Sequence, residues 1–364
     1  MTVNSIIMYI MAAGVLLGAL DRIGNNRLGY GAKFEEGFQC MGFIALSMVG
    51  MICMIPIISA ILKPLIIPFY QFLGADPGMF GSILAIDMGG YSLAVELAQN
   101  EQIGLFSGII VASMLGVTLI FTIPLGLEVI AKEDYEYFAK GILIGILPIP
   151  LGSMVGGLLM GLPFLTVLIN TIPTLLLVLV LGAGLKFFPK GILKGFMIFS
   201  KGIRILTTIG LGGAAITYMT GITVIPGIVD IMEPMKTVAG ISIVLLGSLP
   251  IAYLFSNVMQ KPLKKLGNHL GLDEVSIVGM IFSCISILPT LITMKDMTPS
   301  GKVAVTAFAT SAISVFSAHL GFTGSECPEL LVPMIAAKLI SAFLAVMLAL
   351  KIEGVKNERT INAK

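Results

Sequence analysis

Charge is scarce in this chain. Asp, Glu, Lys and Arg make up 12% of its 364 residues, about half the share of an ordinary soluble protein. There is no Trp, and there are two His and four Cys. Cys40, Cys53, Cys284 and Cys327 fall singly in or beside apolar stretches without CxxC spacing. They read as small apolar residues, not as a disulfide framework. With His269 and His319 the only imidazoles, no zinc or haem site is expected, and no cofactor. A net charge of +2 gives no basis for nucleic-acid binding. An integral-membrane enzyme would need a nucleophile–base set or metal ligands, and none stands out.

What the chain has instead is apolar length. Hydrophobic residues account for 57% of it, and runs of 18 or more recur from end to end, which is the signature of an all-α polytopic membrane protein in a lipid bilayer. Eleven apolar segments are expected: 2–20, 38–62, 79–98, 103–127, 139–161, 163–185, 202–226, 237–257, 275–294, 303–324 and 330–350. No basic residue precedes Arg22, so the first is read as a retained helix and not as a signal peptide.

The order of features repeats. Lys63-Pro64-Leu65 leads to Leu73-Gly74 and Asp76, and Lys261-Pro262-Leu263 leads to Leu270-Gly271 and Asp273. Each set follows a full apolar helix and precedes an apolar segment broken midway, by Gly89-Gly90 in one and Pro289 in the other. Basic residues then choose the topology, because cytoplasmic loops collect Lys and Arg. If segments 79–98 and 275–294 are re-entrant hairpins, 19 of the 22 Lys and Arg fall on one face and two on the other, with Lys338 inside the last segment. If all eleven segments cross, the rich loops cannot share a side.

The expectation is therefore nine crossing helices plus two re-entrant hairpins in two inverted-topology repeats, about 34–127 and 235–324. A single transporter domain of residues 1–350 is followed by a short basic cytoplasmic tail, 351–364. Opposed repeats with broken helices are the architecture of secondary transporters, whose breaks mark the binding site.

Within this frame Asp87 stands out. A carboxylate in hydrocarbon costs roughly 2.5–3.5 kcal/mol, so it is expected to line a polar path as counter-charge to a cation or as a proton carrier. Gly89 and Gly90 would free backbone groups beside it, and Tyr91 offers a ring face to an ammonium, or packs as an ordinary ring. Asn170 and Thr171, in a helix kinked by Pro173, offer polar contacts to a ligand, or hydrogen bonds between helices. Ser286, Pro289 and Thr290 form the break of the second hairpin and would supply dipoles. Glu96, His319 and Glu326 are candidates for gating or proton-linked roles. Lys186, Lys190, Lys194, Lys201 and Arg204 are read as cytoplasmic anchoring.

FEEGF (34–38), MGF and MVGM (41–51), KPLIIPFYQFLGADP (63–77), AIDMGG with the following EL (85–97), INTIP (169–173) and HLGF (319–322) together resemble the bacterial ethanolamine permease family, over nearly the whole chain. The resemblance implies import of ethanolamine across the cytoplasmic membrane of a bacterium, with an ammonia-lyase and microcompartment proteins as pathway neighbours and not as subunits. Homo-oligomerisation is left open. There is one departure: the family pattern has an Asp before HLGF, and this chain has Ala318. The alternatives to a carrier with alternating access are an uncoupled, channel-like facilitator and a carrier for another small amine or polar metabolite.

Overall fold

A computed structural model of the chain describes residues 2–84 and 89–354. Asp87 and the tail from 355 onward lie outside the described residues. Among the described residues every regular element is helical, since in an apolar solvent the backbone must satisfy its own hydrogen bonds.

Seven helices are long and apolar enough to cross a membrane. They coincide with seven of the eleven expected segments. The other four expected segments take different forms. Segment 202–226 is the second half of a longer, more polar helix, Pro189–Thr220. Segments 79–98, 275–294 and 303–324 are interrupted.

In chain order, α1 is Val3–Ile23 and α2 is the 43-residue Tyr30–Phe72. The Asp21 carboxylate closes the turn between them by accepting the Leu28 and Gly31 N–H groups, each at 2.9 Å. After a short 3-10 helix, Pro77–Ser82, come α3, Gly89–Leu97, and α4, Glu101–Val129. Next are α5, Tyr135–Ile146, α6, Ile149–Leu159, α7, Phe164–Phe187, and α8, Pro189–Thr220. The 39-residue α9 is Met232–Leu270, followed by α10, Glu274–Ser283, and α11, Ile287–Ile292. The chain ends with α12, Pro299–Ala312, α13, Ala318–Glu326, and α14, Leu331–Glu353.

Helices meet where glycine lets backbones touch, as expected when packing rather than water drives association. A Cβ on Gly50 would strike the Thr207 carbonyl of α8, and one on Gly14 the Gly247 carbonyl of α9. The longest helices, α2 and α9, pack on each other, with α1 against both and α8 against α2.

Two segments double back, and each is fastened at its base by an aspartate. Asp76 caps the Pro77–Ser82 turn through Gly78 N–H at 2.8 Å. Its carboxylate also accepts the N–H groups of Gln99, at 3.1 Å, and Asn100, at 2.8 Å. Residues 77–98 therefore begin and end at one point. Asp273 does the same for the second segment. It accepts Ser276 N–H at 2.9 Å and Oγ at 2.6 Å at the start of α10, then Thr298 N–H at 3.1 Å and Oγ1 at 2.6 Å where the segment ends. Asn100 and Thr298 then cap the next helices, α4 and α12, through Gln102 and Gly301 N–H.

The arms of each segment are sewn together differently. In the first, Gly78 lies flat against Ala94 of α3 and Ala98 just past it, and Gly81 against Ala94. In the second, Thr290 Oγ1 donates to the Gly279 carbonyl at 2.8 Å.

Candidate functional site

The helices that follow the doubled-back segments are both irregular. In α4, residues Phe106–Gly116 are wound with i→i+5 hydrogen bonds, and Thr118–Thr122 repeat the pattern. Such winding is rare and frequently marks functional positions. Its counterpart stops at Ala312 and resumes at Ala318. Between them Ser314 adopts a left-handed conformation, φ 52°, unfavourable for a residue with a side chain.

That break pairs with the tip of the second doubled-back segment. Ser314 N–H donates to the Ser283 carbonyl and Phe316 N–H to the Cys284 carbonyl, each at 2.9 Å, and Ser317 Oγ donates to the Ile285 carbonyl. The backbone groups freed by both interruptions satisfy one another, which is how irregular chain is tolerated away from water.

Beside this junction lies a cavity of about 220 Å³, bounded by α2, α4, α9 and the junction. Its polar lining is Glu36, Cys40, Ser286, Ser314, Ser317 and His319. At about 30 Å³ per water it has room for roughly seven waters, more than a four-heavy-atom ligand needs. Ala318, the residue before HLGF, is part of the wall. The one carboxylate on the lining is Glu36, half-exposed and paired with Lys33 at 2.6 Å. His319 is buried behind the junction. Its Nδ1 is 3.0 Å from the Ile313 carbonyl, so the neutral ring carries its proton there and its lone pair on Nε2. Nε2 has no partner among the described residues.

A second opening, of about 300 Å³, lies along α3 and α2. Tyr91, Ser92 and Glu96 line it. The Tyr91 hydroxyl is 3.7 Å from Cys327 Sγ at the far end of α13, and its ring meets Phe322 edge-on. Glu96 is held by Lys63 at 2.8 Å, with Ser59 Oγ at 3.4 Å.

The structure thus divides the expected site residues. Ser286 and His319 share the cavity, while Tyr91 and Glu96 share the opening. Gly89 and Gly90 begin α3, and Glu326 is half-buried at the end of α13. Asp87, just before α3, lies outside the described residues.

Four of the expected site residues are engaged within the chain or lie away from the interruption. Asn170 is buried and engaged inside the chain: Oδ1 accepts the Asp76 N–H at 2.7 Å and Nδ2 donates to the Thr166 carbonyl at 2.9 Å. It anchors the start of the first doubled-back segment. Thr171 Oγ1 donates to the Val167 carbonyl within its own helix, and Thr290 is committed to Gly279. Pro289 lies in α11, past the interruption, which falls at 284–286. Glu36 was not singled out as a site residue, although two acids opening an apolar helix in FEEGF were a usable signal.

These features define a multi-pass helical membrane protein whose polar groups collect where two interrupted elements meet. The family model described as ethanolamine utilisation protein, EutH, matches residues 3–352, and the chain belongs to that family. It is 44% identical over 347 residues to the probable ethanolamine permease EutH of Listeria monocytogenes, covering 95% of this chain and 93% of that protein. To the probable ethanolamine permease EutH of Escherichia coli K12 it is 37% identical over 389 residues, covering 96% and 95%. It is 40% identical over 367 residues to the uncharacterized protein YxeR of Bacillus subtilis, covering 100% and 99%. No solved structure matches the chain.

Proposed function

We propose that this protein carries ethanolamine into the cell across the bacterial cytoplasmic membrane by alternating access. Residues 77–98 and 274–297 would be re-entrant hairpins in two repeats of opposite orientation. The N-terminus would lie outside and the C-terminus inside. The observation that carries the reading is the junction of hairpin tip and broken helix at a polar cavity, the arrangement by which carriers bind small ions and solutes. The matching aspartate latches support the hairpins, since a segment that starts and ends at one point leaves by the side it entered.

Ethanolamine, the substrate in the printed names of the relatives, is a primary ammonium with a hydroxyl two carbons away. Glu36 at the mouth and Asp87 would supply negative charge, and Ser286, Ser317 and the junction carbonyls the short-range partners. Loop charges put the Glu36 mouth on the cytoplasmic face, so the cavity would represent an inward-open state. The opening at Tyr91 would be the closed outer path.

The test is counterflow in proteoliposomes. Preloading with unlabelled ethanolamine should accelerate entry of labelled ethanolamine, and Asp87→Asn should abolish binding without loss of folded protein. A channel-like facilitator would show no acceleration, and wild-type affinity in Asp87→Asn would remove that residue from the site.

A further inference from the structure

Lys338 lies in the middle of α14 and is completely buried. Its Nζ hydrogen-bonds to the Ser113 carbonyl, in the unusually wound part of α4. Among the described residues no carboxylate lies within ion-pair distance of it. Its electrostatic neighbours are Cys284, at the tip of the second hairpin, and His319, on the cavity wall. The other charged groups on the elements around α14 are engaged elsewhere or sit at helix ends. Lys302 pairs with Asp134 and Lys140 with Glu353. Asp21 holds backbone N–H groups and Arg22 holds Glu35. Glu101 and Glu128 end α4, and Glu326 and Glu329 flank the turn before α14.

A buried ionisable group in a membrane protein is costly to keep and is retained for a task. Here it sits behind the wall of the cavity, where a cationic ligand would meet a charge of its own sign. Lysine can escape that repulsion because its ammonium gives up a proton when desolvated beside a cation; arginine cannot.

We propose that Lys338 is a built-in cation that loses its proton when an ammonium ligand occupies the cavity, so that the protein exchanges one ammonium for one proton. In the empty protein the Nζ–H bond is intact and the ammonium donates to Ser113. On loading, one N–H bond breaks, the electron pair stays on Nζ, and the proton passes to water in the cavity. The free Nε2 lone pair of His319 is the acceptor on that route. Loaded and empty proteins then carry the same charge, and a transport cycle moves none across the membrane. The inference rests on the ethanolamine reading of the cavity.

The experiment measures proton release on binding. The purified full-length protein, in detergent with a weak buffer and an indicator dye at neutral pH, is titrated with ethanolamine hydrochloride, and bound ligand is counted by equilibrium dialysis. Wild type should release roughly one proton per ethanolammonium bound. Lys338→Met, close in length, should bind and release none. Lys338→Arg, which keeps its charge, should bind at least tenfold more weakly and release none. Binding by wild type without release, or equal release from wild type and Lys338→Met, overturns the proposal and leaves the ethanolamine reading standing. Failure of wild type to bind overturns both. Should the variants not fold, wild-type proteoliposomes decide: uptake indifferent to an imposed voltage supports the exchange, and uptake that follows the voltage refutes it.

Discussion

Gly81 is the position where the first doubled-back segment is most sensitive to a single added atom. An ideal Cβ there would stand 2.5 Å from the Cα, Cβ and N of Ala94. Those are backbone or backbone-attached atoms that cannot swing aside. Restoring ordinary carbon contact, 3.5–4.0 Å, requires the two arms to part by about 1 Å. Overpacking of this kind costs about 1–3 kcal/mol, and the gap it opens along the rest of the interface weakens the neighbouring contacts at Gly78 and Ala98.

Gly81→Ala should therefore destabilise the purified protein by about 2 kcal/mol. Because the chain has no Trp, the assay is the fraction remaining monodisperse by size-exclusion chromatography after heating, paired with counterflow. Gly212→Ala, with no heavy atom within 4 Å of the new methyl, controls for the generic helix effect and should be neutral or stabilising. The double variant Gly81→Ala/Ala94→Gly moves the methyl from one arm to the other. It should regain most of the loss, less about 1 kcal/mol for glycine inside α3. Wild-type heat resistance in Gly81→Ala, or no recovery in the double variant, would refute the close-packed hairpin.

Three further outcomes are expected. The Asp273 carboxyl is held below the usual carboxylate range, because burial pushes it up less than the hydrogen bonds from Ser276 and Thr298 pull it down. A depressed value stabilises the fold above the unfolded group's pKa, near 4, and the benefit is lost as pH falls through the lower folded value. The stability gap between wild type and Asp273→Asn should thus be full at neutral pH and close below pH about 4; a gap independent of pH would contradict the latch. Glu36→Gln should weaken ethanolamine binding by roughly fivefold, about 1 kcal/mol for a part-solvated charge at the mouth, and the difference should shrink with salt; unchanged affinity in dialysis would remove Glu36 from the path. Cysteine at Gln99, exposed and free of the capping role of Asn100, should react with an impermeant reagent added outside cells, and cysteine at Lys295 should not. The reverse pattern would invert the proposed topology.

How far the residues foretold the site depends on the kind of signal. The offset of about 198 residues between the Lys-Pro-Leu motifs pointed to two comparable segments, and the latches at Asp76 and Asp273 put a physical function on that likeness. Asn170 shows why a site residue is hard to read: a buried amide has the same appearance in sequence whether it meets a ligand or a backbone N–H ninety-four residues away. Lys338 was visible as an isolated charge in an apolar run, yet nothing local tells whether such a side chain reaches the lipid surface or turns inward.

The sequence by itself determined the solvent and the units. Low charge and repeated apolar length require a bilayer, because so little polar surface cannot cover a soluble fold. That segments 79–98 and 275–294 are interrupted was also legible, since Gly, Pro and capping Asp act within a few residues of themselves, but the second interruption falls before Pro289 and the one after Ala312 was not expected. Only the tertiary structure decided which break meets which. The Ser314–Ser283 and Phe316–Cys284 bonds join residues about thirty apart, Lys338 reaches Ser113 across 225 positions, and Glu36 reaches the cavity from about 250 residues before Ser286. Hydrogen bonds act at about 3 Å, and a one-dimensional pattern cannot specify which distant residues folding will bring that close.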